Sequence, residues 1–592
     1  MHSTMRTLLQ TATLIVTVLA SAAASLVMMH FSCYATMCSE EFFSYETRLH
    51  VIVYYGFLSL TLCLLFLRAC SSTVRSFASF QPLASVPFLG ERLTLGGLFM
   101  SIWILVLACG PVIYWLPTQW EFWGDRADPL NWMSAKIQLT ITGVTGHSTD
   151  ILLGLLTIPV ARNSLVGQAF SVHHSTLLLA HKLISYLFSI AVAAHGITYI
   201  VYAADGSSEG DEAKEEAFAT GNPAMTLSES KQRSSWFTQT TYTGIAAFLP
   251  ILAILVTSIP YMRKKHYNLF YYTHVICGTV IFIASCIHAS TNFYLLLPGL
   301  LLWIGDWIRR VFFGETNGLS TKTLATIENP GGNWIRISLP TTCSAENISE
   351  KPLTTCEPAL YYYLNVPSIS KVQNHALTAA VPSSSSHGPT FMLQRTTGKS
   401  QKRLEKEWTW KLGALVPNMQ DSRSLEIRLE GPYRINDMGY ASASHIVCIV
   451  GGTGVTGALS LARWWLDVCS VNNSRFTLIW TLRTAESMEV MEWTELRNMA
   501  KTNGCLDVRS HISSENGRLD PAVILQEALG VGNGLVAETP GPGWVYSSGP
   551  DALMKATKRA CVETRRKIVK SKRGGCQGTW VVEDLSWYMS QY

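Results

Sequence analysis

At 592 residues the chain is long enough for several domains, and its 48% hydrophobic content averages two unlike halves, apolar runs up to about residue 313 and a soluble-reading remainder. A formal charge of +5 over this length leaves no case for nucleic-acid binding. The 14 cysteines show no zinc-type CxxC spacing, which argues against a metal knuckle or a disulfide framework; Cys33 and Cys38 form a pair only if they face an oxidising compartment.

In chain order, the first apolar run, 7–29, reads either as a spanning helix or as a signal peptide with an Ala-x-Ala site near Ala22. Further spans are expected at 49–69, 95–116, 137–160, 177–202, 240–259, 268–289 and 293–312, most of them near the roughly 20 residues that cross a bilayer. The domains expected are 1–29, the signal or first helix; 30–94, an extracytoplasmic segment, an extra helix and a cytosolic loop; 95–313, a six-helix membrane unit; 314–440, a barrel; and 441–592, an α/β domain.

If the spans alternate, Arg68, Arg75, Arg92, Arg162, Arg263, Lys264, Lys265, Arg309 and Arg310 all fall on one side. The positive-inside rule makes that side cytosolic. The acidic stretches CSEEFFSYE and DGSSEGDEAKEE fall on the other side. The C-terminal half is therefore expected in the cytosol, where the sequons at Asn347 and Asn472 stay unglycosylated.

Within the spans, His181 and His195 lie fourteen residues apart in one helix, and His274 and His288 fourteen apart in another. Fourteen steps return a helical side chain to within about 40° of its starting face, about 21 Å along the axis. Two such helices facing each other present two histidine pairs at two depths. A lone histidine in an apolar helix is ordinarily a hydrogen-bonded core residue. The same spacing in two spans points instead to axial ligation of two haem irons, His181 with His274 on the cytosolic side and His195 with His288 on the outer side. Lys182 reads either as a partner for a haem propionate or as a lysine snorkelling to water. His173 and His174 read as solvated loop residues.

Beyond residue 320 the text alternates with period two in TKTLATI, NWIRISLP, ALYYYLNVP, TFMLQRTT and SLEIRLEGPY, which predicts antiparallel strands in a small barrel or sandwich. The lysine-rich stretch 396–411 reads as a solvated insertion. After Tyr440 comes a buried strand, HIVCIV, a glycine-rich turn, GGTGVTG, and a helix, ALSLARWWLDV. Strands at FTLIWTLR, LDVRSHI and WVYSSGP complete a parallel α/β pattern. Gly452-x-Gly454-x-x-Gly457 has the strand before it and the helix after it that a dinucleotide fingerprint requires. The ribose-binding acid of a standard Rossmann unit is missing at its usual distance.

Paired haem histidines followed by a small barrel and a glycine-rich α/β domain resemble the ferric reductase family, relatives of the NADPH oxidases. The resemblance covers about residues 95–592. It implies a multi-domain membrane protein: an α-helical transmembrane haem bundle, a β-barrel FAD-binding domain and a ferredoxin-reductase-like α/β domain that binds NADPH. It implies that His375, Thr378, Gly431, Pro432, Tyr433 and Trp587 belong to the FAD region. It assigns Gly451, Gly452, Thr453, Gly454, Val455, Thr456, Gly457, Arg483, Ser548, Gly549 and Pro550 to the NADPH region. The chain departs from the family pattern where His375-Ala376-Leu377-Thr378 lacks a proline and an aromatic residue. It departs again where Arg434 stands for a glycine, Ser548 for a cysteine and Leu585 for an aromatic residue.

The activity so implied passes electrons from cytosolic NADPH through FAD and two b-type haems to a ferric or cupric ion, free or chelated, across a membrane, by default the plasma membrane. No side chain need act as acid, base or nucleophile. The alternatives are a superoxide-forming oxidase and a catalytically weakened relative acting as a binding or scaffold subunit.

Overall fold

The computed structural model describes residues 2–79, 94–158, 164–170, 172, 174–205, 227–312, 322–340, 357–371, 373–383, 388–395, 401–433, 435, 439–468, 474–488, 490–530, 541–573 and 580–590. Arg434, both sequons, His173, Arg92, Arg162 and the acidic loop after Asp205 lie outside them. The chain divides into two compact units, Met1–Trp307 and Ile308–Tyr592.

The first unit is helical. Its long helices are α1 (His2–Met28), α2 (Ser44–Cys70), α3 (Leu95–Ala127), α4 (Met133–Thr157), α5 (His174–Asp205), α6 (Leu227–Ser258), α7 (Tyr267–His288) and α8 (Ser290–Phe312). Among the described residues, six of them (α1, α2, α3, α5, α6 and α7) are long and apolar enough to cross a membrane. α4 and α8 occupy the other two expected spans and are more polar, and in α4 the polar residues face inward: Lys136, Thr140, Thr142, His147, Ser148 and Asp150 are all buried. Meanwhile Ile113, Ile190 and Ile200 stand 76%, 68% and 64% exposed on the outside of the bundle. Apolar outside and polar inside is the arrangement that hydrocarbon solvent selects. α1 packs on α2, and the Tyr55 hydroxyl donates to the Tyr294 carbonyl at 2.7 Å, tying α2 to α8. His174 opens α5 and so is helical, where a loop residue was expected.

The second unit holds a barrel and a sheet. Six antiparallel strands, β1 (Lys322–Gly331), β2 (Trp334–Ser338), β3 (Tyr361–Asn365), β4 (His375–Val381), β5 (Thr390–Gln394) and β6 (Ser422–Tyr433), close in the order β1-β2-β5-β4-β3-β6. Ile327, Ile335, Leu364, Phe391 and Ile427 fill the interior. β4 escapes the period-two reading because HALTAAV is built of small residues with little contrast between its faces. The stretch 396–411 is not simply solvated. Its end forms α9 (Trp408–Gly413), and Leu404, Trp408 and Leu412 are buried, the last two in the barrel core, because three apolar side chains among the lysines have an apolar surface to cover.

The parallel sheet runs β11-β10-β7-β8-β9, from β7 (His445–Gly451), β8 (Arg475–Leu482), β9 (Leu506–Ile512), β10 (Gly541–Ser548) and β11 (Val582–Ser590). Its helices are α10 (Val455–Val468), α11 (Met491–Thr502), α12 (Pro521–Leu529) and α13 (Asp551–Arg573). Every residue of β7 is buried, as its central place demands. The chain runs outward from β7 through β8 to β9, then returns to place β10 on the other side of β7. The topological switch point, where open α/β sheets bind ligands, is therefore between β7 and β10. Barrel and sheet share one packed interface: Trp334 meets Trp480 at 6.0 Å, and Arg336 forms a two-pronged ion pair with Glu492, both bonds 2.9 Å.

Candidate cofactor sites

The fourteen-residue spacings bring the four histidines together in the expected pairs. His181 faces His274 with ring centres 6.2 Å apart, and His195 faces His288 at the same 6.2 Å. An imidazole nitrogen binds a first-row metal at about 2 Å and the ring centre lies about 1.2 Å behind it. Two axial imidazoles on one iron therefore stand about 6.4 Å apart, so both pairs have the separation a bis-histidine haem needs. α5 packs chiefly on α4 and α7 chiefly on α6.

The outer nitrogens are held by neighbours. His195 Nδ1 donates to the Thr142 carbonyl at 2.9 Å and His181 Nδ1 to the Leu156 carbonyl at 3.4 Å. A carbonyl only accepts, so each Nδ1 carries the proton and each Nε2 keeps the lone pair that a metal takes. His288 Nδ1 lies 3.1 Å from Thr243 Oγ1. His274 Nδ1 is buried with no hydrogen-bond partner among the described residues. Two glycines make room for the outer rings: a Cβ on Gly146 or Gly244 would stand 3.3 Å from His195 or His288. In separation and in donor chemistry these residues fit haem.

In the second unit the proposed flavin residues sit across adjacent strands. Thr378 on β4 is in register with Tyr361 on β3, which is in register with Tyr433 on β6. The Tyr361 and Tyr433 rings stack at 5.3 Å, 25° from parallel. This row supplies aromatic surface beside a signature that lacks its usual aromatic. Gly431 has φ +142°, and a Cβ there would stand 2.9 Å from the Tyr362 ring. His375 stacks on Trp408 at 4.1 Å, its Nε2 is buried without a partner among the described residues, and burial lowers its pKa, so it is a neutral imidazole. A stacked tyrosine row with a buried hydroxyl and an orphaned ring nitrogen fits a planar polar group such as a flavin. Trp587 stands apart in sequence on β11, buried in register with Val545.

The glycine-rich turn lies at the switch point. Gly452–Gly454 form a single tight turn between β7 and α10, and Trp480 Nε1 donates to the Gly452 carbonyl at 2.9 Å. The second turn, Ser548–Gly549–Pro550, closes against it: a Cβ on Gly454 would stand 2.4 Å from the Ser548 carbonyl oxygen. Ser548 is buried at the end of β10, and Arg483 is exposed just past β8. Thr456 donates to the Thr453 carbonyl at 3.2 Å; Val455 and Gly457 are buried in the first turn of α10. A glycine turn at a helix N-terminus, with Thr453 exposed, fits a pyrophosphate here.

Comparison with known proteins agrees with this layout. Residues 145–286 match the ferric reductase like transmembrane component, a segment that includes His181, His195 and His274 and stops two residues short of His288. Residues 443–529 match the ferric reductase NAD binding domain, including the glycine-rich turn and Arg483. Both matched segments are similar to parts of the ferric reductase family. The chain is 23% identical over 402 residues to ferric reduction oxidase 3, mitochondrial, of Arabidopsis thaliana, an alignment covering 67% of this chain and 48% of that protein. It is 20% identical to ferric/cupric reductase transmembrane component 2 of Saccharomyces cerevisiae, over 59% of this chain and 44% of that one. The chain thus spans about half the length of the curated relatives it matches. Among solved structures, the cytochrome b5 reductase domain of Ulva prolifera nitrate reductase covers 41% of this chain and 93% of its own, at 15% identity and a TM-score of 0.30.

The helical unit also carries a buried polar cluster that its sequence did not announce. Trp115 stacks on His147 at 3.6 Å and donates from Nε1 to His50 Nδ1 at 3.0 Å. Gln119 Nε2 lies 3.5 Å from His147 Nε2, and His147 Nδ1 stands 4.0 Å from Asp150, which accepts from Thr291. Glu40, nearly buried, accepts from Ser290 at 2.6 Å and Tyr294 at 2.8 Å. These groups come from α2, α3, α4, α8 and the segment before α2, so no single-helix periodicity reveals them. The one signal available was the density of polar residues in α4, too high for a lipid-facing span.

Proposed function

We propose that this protein is a membrane oxidoreductase that draws electrons from NADPH through FAD and two b-type haems and delivers them to a ferric or cupric ion, free or chelated. The observation that carries the reading is the repeated 6.2 Å separation of two histidine pairs at two levels of one bundle. Bound there, flavin would exchange two electrons or one, and haem one at a time.

The chain's own residues bind, orient and shield. His181, His195, His274 and His288 present Nε2 lone pairs across the gap between α5 and α7, and the carbonyls of Thr142 and Leu156 fix the tautomer of two of them. Thr378, Tyr361, Tyr433 and His375 form the flavin bed. The Gly451–Gly457 turn, Ser548–Pro550 and Arg483 hold the nucleotide, with the guanidinium available to its phosphates. Protein side chains supply placement and no acid, base or nucleophile is required.

The Cys33–Cys38 disulfide supports the orientation. Disulfides persist in oxidising compartments. Met37 N donates to the His288 carbonyl at 2.9 Å, so the disulfide and the His195–His288 pair share one side, the outer one. α8 runs away from that side, towards what this reading takes as the cytosol. We take the plasma membrane as the location.

The test is a pair of difference spectra on membranes holding the protein, reduced first with dithionite and then with NADPH. Haem bands with both reductants, lost in the His181→Ala/His195→Ala double variant, are expected. Well-expressed, haem-supplied protein without bands would overturn the haem reading. Bands with dithionite alone would overturn the flavin and NADPH assignments.

A further inference from the structure

The two histidine pairs are held unequally. At the inner level His274 Nδ1 has no partner among the described residues and His181 Nδ1 reaches its carbonyl at 3.4 Å. At the outer level His195 Nδ1 is bonded at 2.9 Å and His288 Nδ1 at 3.1 Å. The partner of His288 is a side chain, Thr243 on α6, and that side chain is itself fixed from outside the bundle.

The fixing segment is the stretch closed by the Cys33–Cys38 disulfide. Thr36 N donates to the Ile287 carbonyl and Met37 N to the His288 carbonyl, both at 2.9 Å, and Ser290 N donates back to the Met37 carbonyl at 3.1 Å. Thr36 Oγ1 has one proton to donate, either to the His288 carbonyl at 2.9 Å or to Thr243 Oγ1 at 3.1 Å, and the second bond is the one that forms when Thr243 gives its own proton to its helix backbone. Glu40 then anchors the same segment to Ser290 and Tyr294. The end of α7 that carries His288 is thus gripped on its backbone by one short stretch of chain, which also reaches the Thr243 hydroxyl beside its imidazole.

The geometry assigns the proton. Thr243 Oγ1 donates to the carbonyl of Gln239 or Thr240, at 3.0 and 3.1 Å, so its lone pairs are left for the His288 Nδ1–H. We propose that Thr243, held in place by Thr36 of the disulfide-closed segment, is the positioning residue of the outer haem ligand His288. It fixes the tautomer and the ring plane, and raises the basicity of the ligating nitrogen. The proposal rests on the haem reading above. Loss of such an acceptor typically costs about 10- to 100-fold in metal affinity or activity. A less basic imidazole favours ferric iron less, so the outer potential moves upward.

The experiment is a redox titration of the full-length protein in lipid nanodiscs, followed by optical and electron paramagnetic resonance spectra. His288→Ala identifies which potential and which low-spin signal belong to the outer site. Thr243→Val is expected to shift that site alone, changing its ferric-to-ferrous ratio at fixed poise about tenfold, or about 59 mV for one electron. Thr243→Ser should restore the wild-type value. Thr36→Val and Cys33→Ser should move the same site in the same direction by less. Unchanged potentials and signals in Thr243→Val would overturn the proposal. Should Thr243→Val lose both haems through misfolding, Thr36→Val decides, and an unmoved outer potential there overturns it. Wild-type protein without haem would instead sink the haem reading itself, and the proposal with it.

Discussion

Gly549→Ala should disable nucleotide binding while leaving the helical bundle untouched. Gly549 holds φ +140°, a region that an L side chain rarely adopts, and its Cβ would stand 2.8 Å from the Gly451 carbonyl oxygen and 2.9 Å from the Gly451 nitrogen. Both atoms are backbone, so no rotamer change relieves the overlap. The two turns at the switch point must separate. Backbone strain of this kind costs about 1–3 kcal/mol. If about 2 kcal/mol of it falls on the geometry that grips the pyrophosphate, affinity drops about 30-fold. Gly452 is the graded comparison: its φ is +57° but nothing lies within 4 Å of its Cβ, so Gly452→Ala carries only the left-handed penalty of roughly 1–2 kcal/mol. Gly517→Ala, also at positive φ (+72°) in open space but away from the turn, is the control. The assay is NADPH titration of purified full-length protein beside a dithionite-reduced haem spectrum. Weaker NADPH binding in the order Gly549→Ala, Gly452→Ala, Gly517→Ala with one unchanged haem spectrum is expected. NADPH affinity within twofold of wild type in Gly549→Ala would refute the placement of the nucleotide at these turns.

Burial, then the nearby Arg475, hold the pKa of His445 down at about 4, against about 6.5 in an unfolded chain. Between those values the unfolded state binds the extra proton, so stability is fully present above pH 6.5 and falls as pH drops towards 4, by up to about 3 kcal/mol. Thermal denaturation at pH 7.5 and pH 5 should show this slope, and His445→Gln should flatten it; an equal slope in the variant would count against the assignment. Glu492→Ala leaves the Arg336 guanidinium, whose side chain is 14% exposed, with only its longer contact to Glu328 at 3.4 Å, and should cost about 2–3 kcal/mol, less than the full penalty of an unpaired buried charge. Glu495→Ala, which breaks an exposed pair with Arg463, should cost no more than about 1 kcal/mol, so equal melting temperatures for the two variants would contradict the burial argument. A Cβ on Gly457 would stand 2.0 Å from the Tyr546 hydroxyl, so Gly457→Ala should lower the melting temperature and Tyr546→Phe should recover part of the loss; additive losses in the double variant would show that the hydroxyl is not the obstacle.

What the sequence made legible follows from period. Two histidines on one helix face repeat at a fixed spacing, so their number and their pairing are written in the order of residues alone. The buried strand β7 and its glycine turn were legible because a central parallel strand is apolar throughout and must be followed by a turn that only glycine permits. β4 was not legible as a strand because small residues blur the contrast between faces, and Trp408 and Leu412 were hidden by the lysines around them.

The partners of the histidines were illegible for a different reason. Thr142 and Leu156 reach their rings through backbone carbonyls, which carry no residue signature at all. Thr243 does act through its side chain, but a threonine in an apolar helix bonds its own backbone by default, and Thr243 also does so. What makes it distinctive is the arrival of Thr36 from a segment more than 200 positions earlier, and the same holds for Glu40 against Ser290 and Tyr294. The histidine spacing is set by the period of one helix, whereas the groups that orient the rings are set by which helices and loops meet. Paired histidines in a bundle can therefore be found from sequence, while the groups that orient them emerge only from tertiary contacts.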